Sequence, residues 1–347
     1  MKRLYVAAVL TSSLALAGCG GQGSGSSGGN GSVNALNGAP GINGPVLVVK
    51  VDDTPPAHPQ VGLSAADIVY IEQVEGGLTR LAAVYSQYPT SIPASIGPVR
   101  SARISDIDIL AQYGKVGFAF SGVQTKMLPV IAGANLFDLS AEHNPPSIYS
   151  RDTSRSEPTN MFLDPVGLLK KSIDTEGKSI VSAHSIGFQF GKLPDSPSWR
   201  ATNKVETATA VSLKWPSSSY QLLWSASSGK WLLSYEHRPD LDANGAQLSA
   251  DTFIVQNVSI TDSIYHDKVG GITPFSNTVG SGTGYILRNG LAIPATWNRS
   301  DPTSGTSWRL LDGSPALINP GQIWIALTDT PPTFNGTSNS ASSPSGR

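Results

Sequence analysis

Two arginines three positions apart form the strongest candidate binding group in this sequence. Arg100 and Arg103 stand in the segment IGPVRSAR, residues 96–103, where the pattern predicts that a loop enters a helix. If that helix begins near Ser101, its free N–H groups and the positive end of its dipole lie beside both guanidinium groups. This arrangement suits a phosphate or a carboxylate. The alternative is that both arginines pair with nearby carboxylates such as Glu72, Glu75 or Asp106.

Carboxylates follow or interrupt the first predicted strands. Asp52 comes at the carboxyl end of an apolar run, where the sheets of α/β proteins bind ligands. Glu72 and Glu75 lie in and just after the next apolar run, where a carboxylate needs a partner. Because alternate residues of a strand face opposite sides, these two glutamates can act on one substrate only if the strand ends by Val74. Asp52 and Glu75 are candidates to orient a ligand or to act as a general acid or base.

Three more polar residues can complete this group. Arg80 follows Glu75 within the turn-like segment VEGGLTR, so it either forms a salt bridge with Glu75 or faces the same ligand. Arg155 and Asn160 lie in a long polar segment, which could close over a bound ligand or form a disordered loop without function. The candidate ligand-binding residues are Arg80, Arg100, Ser101, Arg103, Arg155, Asn160, Asp52 and Glu75.

The single cysteine indicates a lipid anchor. Lys2 and Arg3 precede a mostly apolar stretch that is shorter than the roughly 20 residues needed to span a bilayer, and the motif LAGC, residues 16–19, follows. Small residues before Cys19 match the site at which bacterial lipoproteins are cleaved and acylated, for example with palmitate. We therefore expect an exported protein, anchored by Cys19 to the cell membrane and facing outside the cytoplasm. The alternative is a plain secretory signal followed by an incidental cysteine.

Composition argues against several classes of function. The 24 basic and 25 acidic residues nearly cancel, which argues against a nucleic-acid partner. One cysteine excludes a disulfide framework and a multi-cysteine metal site, and the five histidines are scattered along the chain. The sequence contains neither a Walker loop nor a G-x-S-x-G elbow. We expect no metal and no cofactor, and whether the protein is an enzyme stays open.

The elements that must hold these residues differ between the two halves of the chain. In the first half, apolar strand-like runs alternate with helical patterns, whereas the later runs are strand-like and separated by turn signals such as RNGL, residues 288–291. We predict an α+β protein, with a mixed α/β N-terminal domain followed by a mainly antiparallel β C-terminal domain. The predicted segments are a lipoprotein signal peptide at 1–19, a Gly/Ser tether at 20–44, the two domains at 45–185 and 186–330, and a disordered tail at 331–347.

Several motifs together resemble the YerB-like family of bacterial lipoproteins. In the first half they are VDD (51–53), AHPQ (57–60), GLSAADIVY (62–70), VEGGLTR (74–80) and IGPVRSAR (96–103). In the second half VGSGTGY (279–285), TW (296–297) and LINPGQIWI (317–325) are similar to that family's C-terminal domain. The resemblance implies two domains of unassigned function in an exported, lipid-anchored protein. Glu157 and Thr159 depart from it, since they replace the Ala and His of an Ala-Pro-His-Asn-like segment, whereas Asn160 keeps its place.

Three functions are consistent with these features. The first is an envelope lipoprotein that binds an anionic ligand, such as a cell-wall or glycan fragment or a phosphate, in an Arg-lined cleft of the N-terminal domain. The second is an enzyme that modifies envelope polymers, with Glu75 or Asp52 as general acid or base and the arginines stabilising negative charge. The third is a scaffold without a small ligand. The sequence does not indicate an oligomeric state.

Overall fold

The computed structural model describes residues 32–194 and 196–335. The predicted signal peptide, the lipidation position Cys19, and the parts of the predicted tether and tail at 20–31 and 336–347 lie outside the described residues. None of the helices within the described ranges has the length and the apolar character to cross a bilayer.

Strands outnumber helices in both halves. The strands of the first half are β1 Leu47–Asp52, β2 Ile68–Gln73, β3 Thr79–Tyr85, β4 Val116–Ala119, β5 Leu136–Asp138, β6 Tyr149–Arg151 and β7 Met161–Leu163. The later strands are β8 Gln189–Phe190, β9 Glu206–Thr207, β10 Ala210–Trp215, β11 Ser218–Ser225, β12 Lys230–Tyr235, β13 Arg238–Pro239, β14 Ser249–Ala250, β15 Thr252–Asn257, β16 Ile260–His266, β17 Ile272–Ser276, β18 Gly280–Arg288, β19 Leu291–Arg299, β20 Ser307–Leu310, β21 Leu317–Ile318, β22 Ile323–Thr328 and β23 Thr333–Asn335. The α-helices are α1 Ile104–Ala111, α2 Leu128–Gly133, α3 Pro165–Lys170, which continues as a π-helical turn at Lys171–Thr175, and α4 Pro197–Thr202. Short 3-10 turns occupy Pro55–Ala57, Leu63–Ala65, Glu75–Gly77, Thr125–Met127 and Ala141–His143.

One eleven-stranded sheet contains strands from both halves of the chain. Its order is β20-β19-β18-β15-β22-β2-β3-β1-β4-β5, and β9 pairs with β19. β22 lies between β15 and β2 and is parallel to both. The α+β class is confirmed, with mixed α/β structure first and mainly antiparallel sheet later. The domain boundary between residues 185 and 186 stays a prediction, and the large sheet crosses it.

Apolar side chains are buried on both faces of this sheet. Strand alternation sends Val49, Val51 and Trp324 to one face, which packs against a six-stranded sheet formed by β10–β14 and β23. The other face carries Val48 and Ile325 and packs against α1 and neighbouring segments. A charged side chain that falls on either face is therefore removed from water and needs a partner.

Local signals in the sequence place several elements correctly. The predicted hairpin at residues 288–291 is confirmed, because β18 and β19 pair up to Arg288 and Leu291. Its turn residues Asn289 and Gly290 have φ of 53° and 70°, as a two-residue hairpin turn requires. The sequence Asp164-Pro165 predicts a helix cap followed by proline at the first helical position, and this is confirmed, since the Asp164 side chain accepts a hydrogen bond from a backbone N–H at the start of α3.

The folded region begins earlier and ends later than the sequence predicts. Residues 32–44 fall within the predicted tether, yet Asn34 and Leu36 are fully buried. Asn34 Nδ2 donates a hydrogen bond to Ser86 Oγ at 2.8 Å, and Leu36 belongs to the core on the α1 side. In the predicted tail, β23 pairs with β10. The composition of these segments does not reveal such contacts, because they depend on single residues and on partners that are distant in sequence. One buried leucine and a few long-range hydrogen bonds are enough to hold residues 32–44 in place.

We expect Leu36→Ala to lower the free energy of unfolding by about 2–5 kcal/mol, because it removes a fully buried side chain from a packed core. Val33→Ala is the matched control, since Val33 is 57% exposed and its truncation should change stability by less than about 0.5 kcal/mol. Urea denaturation of the full-length chain measures both variants. Two equally small effects would contradict the inclusion of residues 32–44 in the folded body.

Candidate functional site

A row of opposite charges crosses three neighbouring strands on the α1 side of the sheet. Arg80 on β3 is the cross-strand neighbour of both Asp52 on β1 and Glu72 on β2. Arg80 Nη1 lies 3.1 Å from Asp52 Oδ1. Both carboxylates are fully buried, so their charges depend on these partners. Burial lowers the pKa of Arg80 to about 10, against the opposing effect of Asp52, and leaves its guanidinium charged at neutral pH.

A buried lysine extends this row toward α1. Lys50 is fully buried, contacts Glu72 and lies 2.8 Å from Asp106 Oδ1. Burial lowers the pKa of Lys50 to about 8, although Asp106 acts in the opposite direction. Sequence reasoning missed Lys50 as a member of the group, and it considered Asp106 only as a partner of Arg100 or Arg103. The available signal was a lysine inside the otherwise apolar run VLVVKV, where a charge requires a partner.

Arg100 is held at the edge of the row by backbone pairing. Asp52 N donates to Pro98 O and Arg100 N donates to Lys50 O, both at 2.8 Å, so the loop runs alongside β1. Arg100 Nε then lies 2.7 Å from Asp52 Oδ2, and the side chain is 23% exposed. Its two Nη groups make no hydrogen bond or ion pair with any residue that the structure describes. They are therefore available to a ligand from outside.

Glu75 and Arg103 form a second ion pair beside this row. Arg103 Nε and Nη2 lie 2.8 and 2.7 Å from Glu75 Oε2, and Thr273 donates a hydrogen bond to Glu75 Oε1. Burial alone would raise the pKa of Glu75, but Arg103 and Thr273 outweigh it and hold that pKa below its usual range. Glu75 is therefore ionised at neutral pH. Because β2 ends at Gln73, before the Glu75–Gly77 turn, Glu72 and Glu75 can both reach the cationic group.

The start of α1 differs from the prediction that this helix begins near Ser101. The helix begins at Ile104, with Arg103 as its N-cap residue. Asp106 Oδ2 accepts a hydrogen bond from Arg103 N at 2.7 Å and so already occupies the positive end of the helix. Ser101 precedes this cap, and its carbonyl accepts a hydrogen bond from Arg103 Nη1 at 3.2 Å. An anion bound here would rest on side chains and not on the helix end.

The structure places Arg155 and Asn160 in a different contact group. Arg155 donates hydrogen bonds to the carbonyls of Ala57 and Pro59 at 3.0 and 2.7 Å. Asn160 Oδ1 accepts from Arg151 Nη1 at 2.7 Å. Arg151 and Arg155 line a shallow cleft of about 350 Å³. Within the described ranges, no hydrogen bond or ion pair joins Arg155 or Asn160 to Arg100.

The charges of the first group balance within the protein. Its cations are Lys50, Arg80, Arg100 and Arg103, and its carboxylates are Asp52, Glu72, Glu75 and Asp106. Across residues 32–194 and 196–335, no three His, Cys, Asp or Glu side chains are grouped so that they could hold a metal ion. The charges of the buried members therefore neutralise one another, and only Arg100, at the exposed edge of the group, can bind an anion.

A partly buried histidine, His58, links the two halves, whereas its place in the sequence indicated only that it could line a cleft beside Asp52 and Asp53. His58 Nδ1 lies 2.8 Å from Asp240 Oδ1, and His58 Nε2 lies 3.4 Å from Asp53 Oδ1. The His58 ring stacks on Tyr235 with a centroid distance of 4.2 Å, and Tyr220 donates a hydrogen bond to Asp53 at 2.8 Å. Burial disfavours the charged ring, but the two carboxylates outweigh it and raise the pKa of His58 to about 10.

This pKa predicts a specific pH dependence of stability. Since the folded-state pKa of His58 lies above its unfolded value of 6.5, its stabilisation is complete below about pH 6.5 and is lost as the pH rises to about 10. We expect the wild type to lose on the order of a few kcal/mol more than His58→Gln over this interval, since the opposing effect of Lys50 is common to both proteins. Urea denaturation at pH 6 and pH 10 measures both. His184→Gln, at an exposed position, is the control, and a wild-type slope in His58→Gln would contradict the assignment.

Comparisons with known proteins agree with this architecture. The models "Protein of unknown function (DUF3048) N-terminal domain" and "Protein of unknown function (DUF3048) C-terminal domain" match residues 36–179 and 211–325. The Bacillus subtilis (strain 168) protein named "Putative lipoprotein YerB" is 49% identical over 59 residues, a segment that is 17% of this chain and 17% of that protein. The crystal structure of YerB from Bacillus subtilis has a TM-score of 0.70 at 19% identity, covers 86% of this chain and 97% of that one, and shows a shared fold. The chain therefore belongs to the YerB-like family, and the two family models that it matches describe domains of unknown function.

Proposed function

We propose that this chain is an exported, lipid-anchored protein of the bacterial cell envelope that binds an anionic group at Arg100. The group is the carboxylate or phosphate of a cell-wall or glycan fragment. The observation that carries this proposal is that Arg100 contacts Asp52 through Nε, 2.7 Å away, while both Nη groups have no partner among the described residues. A guanidinium held by one edge presents the other edge to an incoming oxyanion.

The fixed orientation of Arg100 supports an anion at this position. Four carboxylates balance the four cations of the group, so the support comes from the placement of Arg100 and not from a net positive charge. Asp52 and Glu75 then serve to fix the arginines and do not contact the ligand directly. The two Nη groups of Arg100 are held in a fixed position for a ligand, because the loop that carries Arg100 is hydrogen-bonded along β1.

A scaffold without a small ligand is the second candidate function. It is favoured by the pairing of the other candidate arginines: Arg80 with Asp52, Arg103 with Glu75, and Arg155 with backbone carbonyls. In this case the whole charged group would serve to hold the sheet, the loop and α1 together.

An acid/base enzyme is less well supported by the same contacts. The pKa of Glu75 is held below its usual range, so Glu75 has no proton to donate as an acid at neutral pH, and both of its oxygens already have partners, Arg103 and Thr273, which disfavours it as a base. Asp52 is fully buried between Arg80 and Arg100, which blocks a substrate from reaching its carboxylate.

Thermal unfolding of the full-length chain tests the anion site. Inorganic phosphate and N-acetylmuramic acid are the probes, and we expect at least one of them at ten times its Kd to raise the Tm by about 2–4 °C. Arg100→Gln should abolish this shift, because it removes both free Nη groups. Arg238→Gln, at an exposed position in β13, should retain it. No shift with either anion, or an unchanged shift in Arg100→Gln, would favour the scaffold function.

The lipid anchor has its own test. Cells that express the chain and grow with radiolabelled palmitate should label the wild-type protein, because Cys19 ends a LAGC motif. Cys19→Ser should be unlabelled, whereas Ser13→Ala, in the same segment, should be labelled like the wild type. Label retained in Cys19→Ser would refute acylation at this position.

A further inference from the structure

A cleft lies at the carboxyl ends of the parallel strands in the middle of the large sheet. β15, β22 and β2 lie side by side and end at Asn257, Thr328 and Gln73. Gln73 lines the cleft together with Asp329 and Thr330, which directly follow β22. The carboxyl edge of neighbouring parallel strands is where open α/β sheets bind ligands.

The size and the position of this cleft suit a ligand from outside. Its volume is about 440 Å³, within the range of roughly 300–1,000 Å³ that is usual for small-molecule sites. The first described segment lies at the other end of the strands, where Gly321 N donates to Asn37 O at 2.8 Å just before β22 begins. A six-residue strand separates the two ends by about 20 Å. The cleft therefore lies at the opposite end of β22 from Asn37.

Two side chains supply accessible apolar surface to the cleft, Pro216 and Ile260, and the buried Trp215 and Pro274 support them from beneath. The indole N–H of Trp215 donates to Leu327 O at 3.0 Å, which fixes the ring relative to β22. Such surfaces can pack against the C–H faces of a ligand but do not orient it by themselves.

The polar side chains of the cleft have unused hydrogen-bonding capacity. The side chains of Gln73, Lys214 and Asp262 make no hydrogen bond or ion pair with any other residue in the described part of the chain. Together with Asp329 they offer an ammonium donor, an amide that both donates and accepts, and two carboxylate acceptors. Two carboxylates against one lysine disfavour an anion, and an apolar ligand would leave these groups unpaired. Hydroxyl groups both donate and accept, so a polyhydroxylated ligand matches this set.

We propose that this cleft binds a carbohydrate, whose ring C–H faces pack on Pro216 and Ile260 and whose hydroxyls bond to Gln73, Lys214 and Asp262. This inference is independent of the anion site at Arg100. Successive residues of β2 and β17 have different partners: Glu72 and Thr273 contact the charged group, while Gln73 and Pro274 line the cleft. The two sites therefore lie on opposite sides of the same strands.

Saturation-transfer NMR tests the cleft with the full-length chain in a detergent that has no sugar headgroup. The probes are tri-N-acetylchitotriose, maltotriose and, as a peptide, trialanine. We expect saturation transfer to the ring protons of at least one of the sugars. Lys214→Ala combined with Asp262→Ala should weaken the affinity for that sugar about tenfold, because two hydrogen bonds are lost. Both side chains are exposed, so the fold should be retained.

The control variant removes one charge of each sign outside the cleft. Glu206→Ala combined with Lys268→Ala changes two exposed residues and should leave the affinity unchanged. Arg100→Gln should also leave it unchanged, which separates a failure of this inference from a failure of the anion site. No transfer to either sugar, transfer to trialanine alone, or an unchanged affinity in the Lys214 and Asp262 double variant would overturn the proposal.

Discussion

A carboxylate removed from water must be neutralised within the protein, and Asp52 imposes this requirement on the structure around it. Desolvation of one ion costs several kcal/mol unless partners replace the water. Arg80 on the next strand and Arg100 on the adjacent loop lie 3.1 and 2.7 Å from its two oxygens. The same requirement recurs at Lys50, which lies between Glu72 and Asp106. These pairs also specify strand register, because a shift of one residue would send each charge to the opposite face of the sheet, away from its partner.

The same contacts make the two halves of the chain structurally interdependent. β22 lies beside β2, so the middle of the large sheet forms only when both halves are present. Glu75 depends on Thr273, and His58 depends on Asp240. The sites proposed for an anion and for a sugar therefore rest on a frame to which both halves contribute. A frame of this kind suits binding, because paired and buried supports restrict the motion of the side chains that face a ligand.

Signals confined to a few neighbouring residues predicted local structure well. Asn289 and Gly290 specify a hairpin turn, and Asp164 caps a helix, because each effect depends on adjacent backbone atoms. The hairpin of β16 and β17 was not predicted. In β16 the charged Asp262 and the apolar Ile264 lie on the same exposed face, so the sequence lacks the alternation of polar and apolar residues that marks a strand with one buried face. Residues 32–44 were predicted as tether because their contacts, such as the one between Asn34 and Ser86, are distant in sequence.

By itself, the sequence determined the α+β class, the family and the residue types available for chemistry. It also places Arg80, Arg100, Arg103, Asp52 and Glu75 in neighbouring segments, as short spacing and strand patterns imply. Only the tertiary structure decided which of these groups is left free, because the pairing of a buried charge depends on side chains that arrive from other strands. Asp52 and Glu75 form ion pairs with arginines, and the Nη groups of Arg100 have no partner among the described residues. Arg155 and Asn160 belong to another contact group. The cleft around Trp215 likewise exists only because β22 brings the end of the chain beside β2.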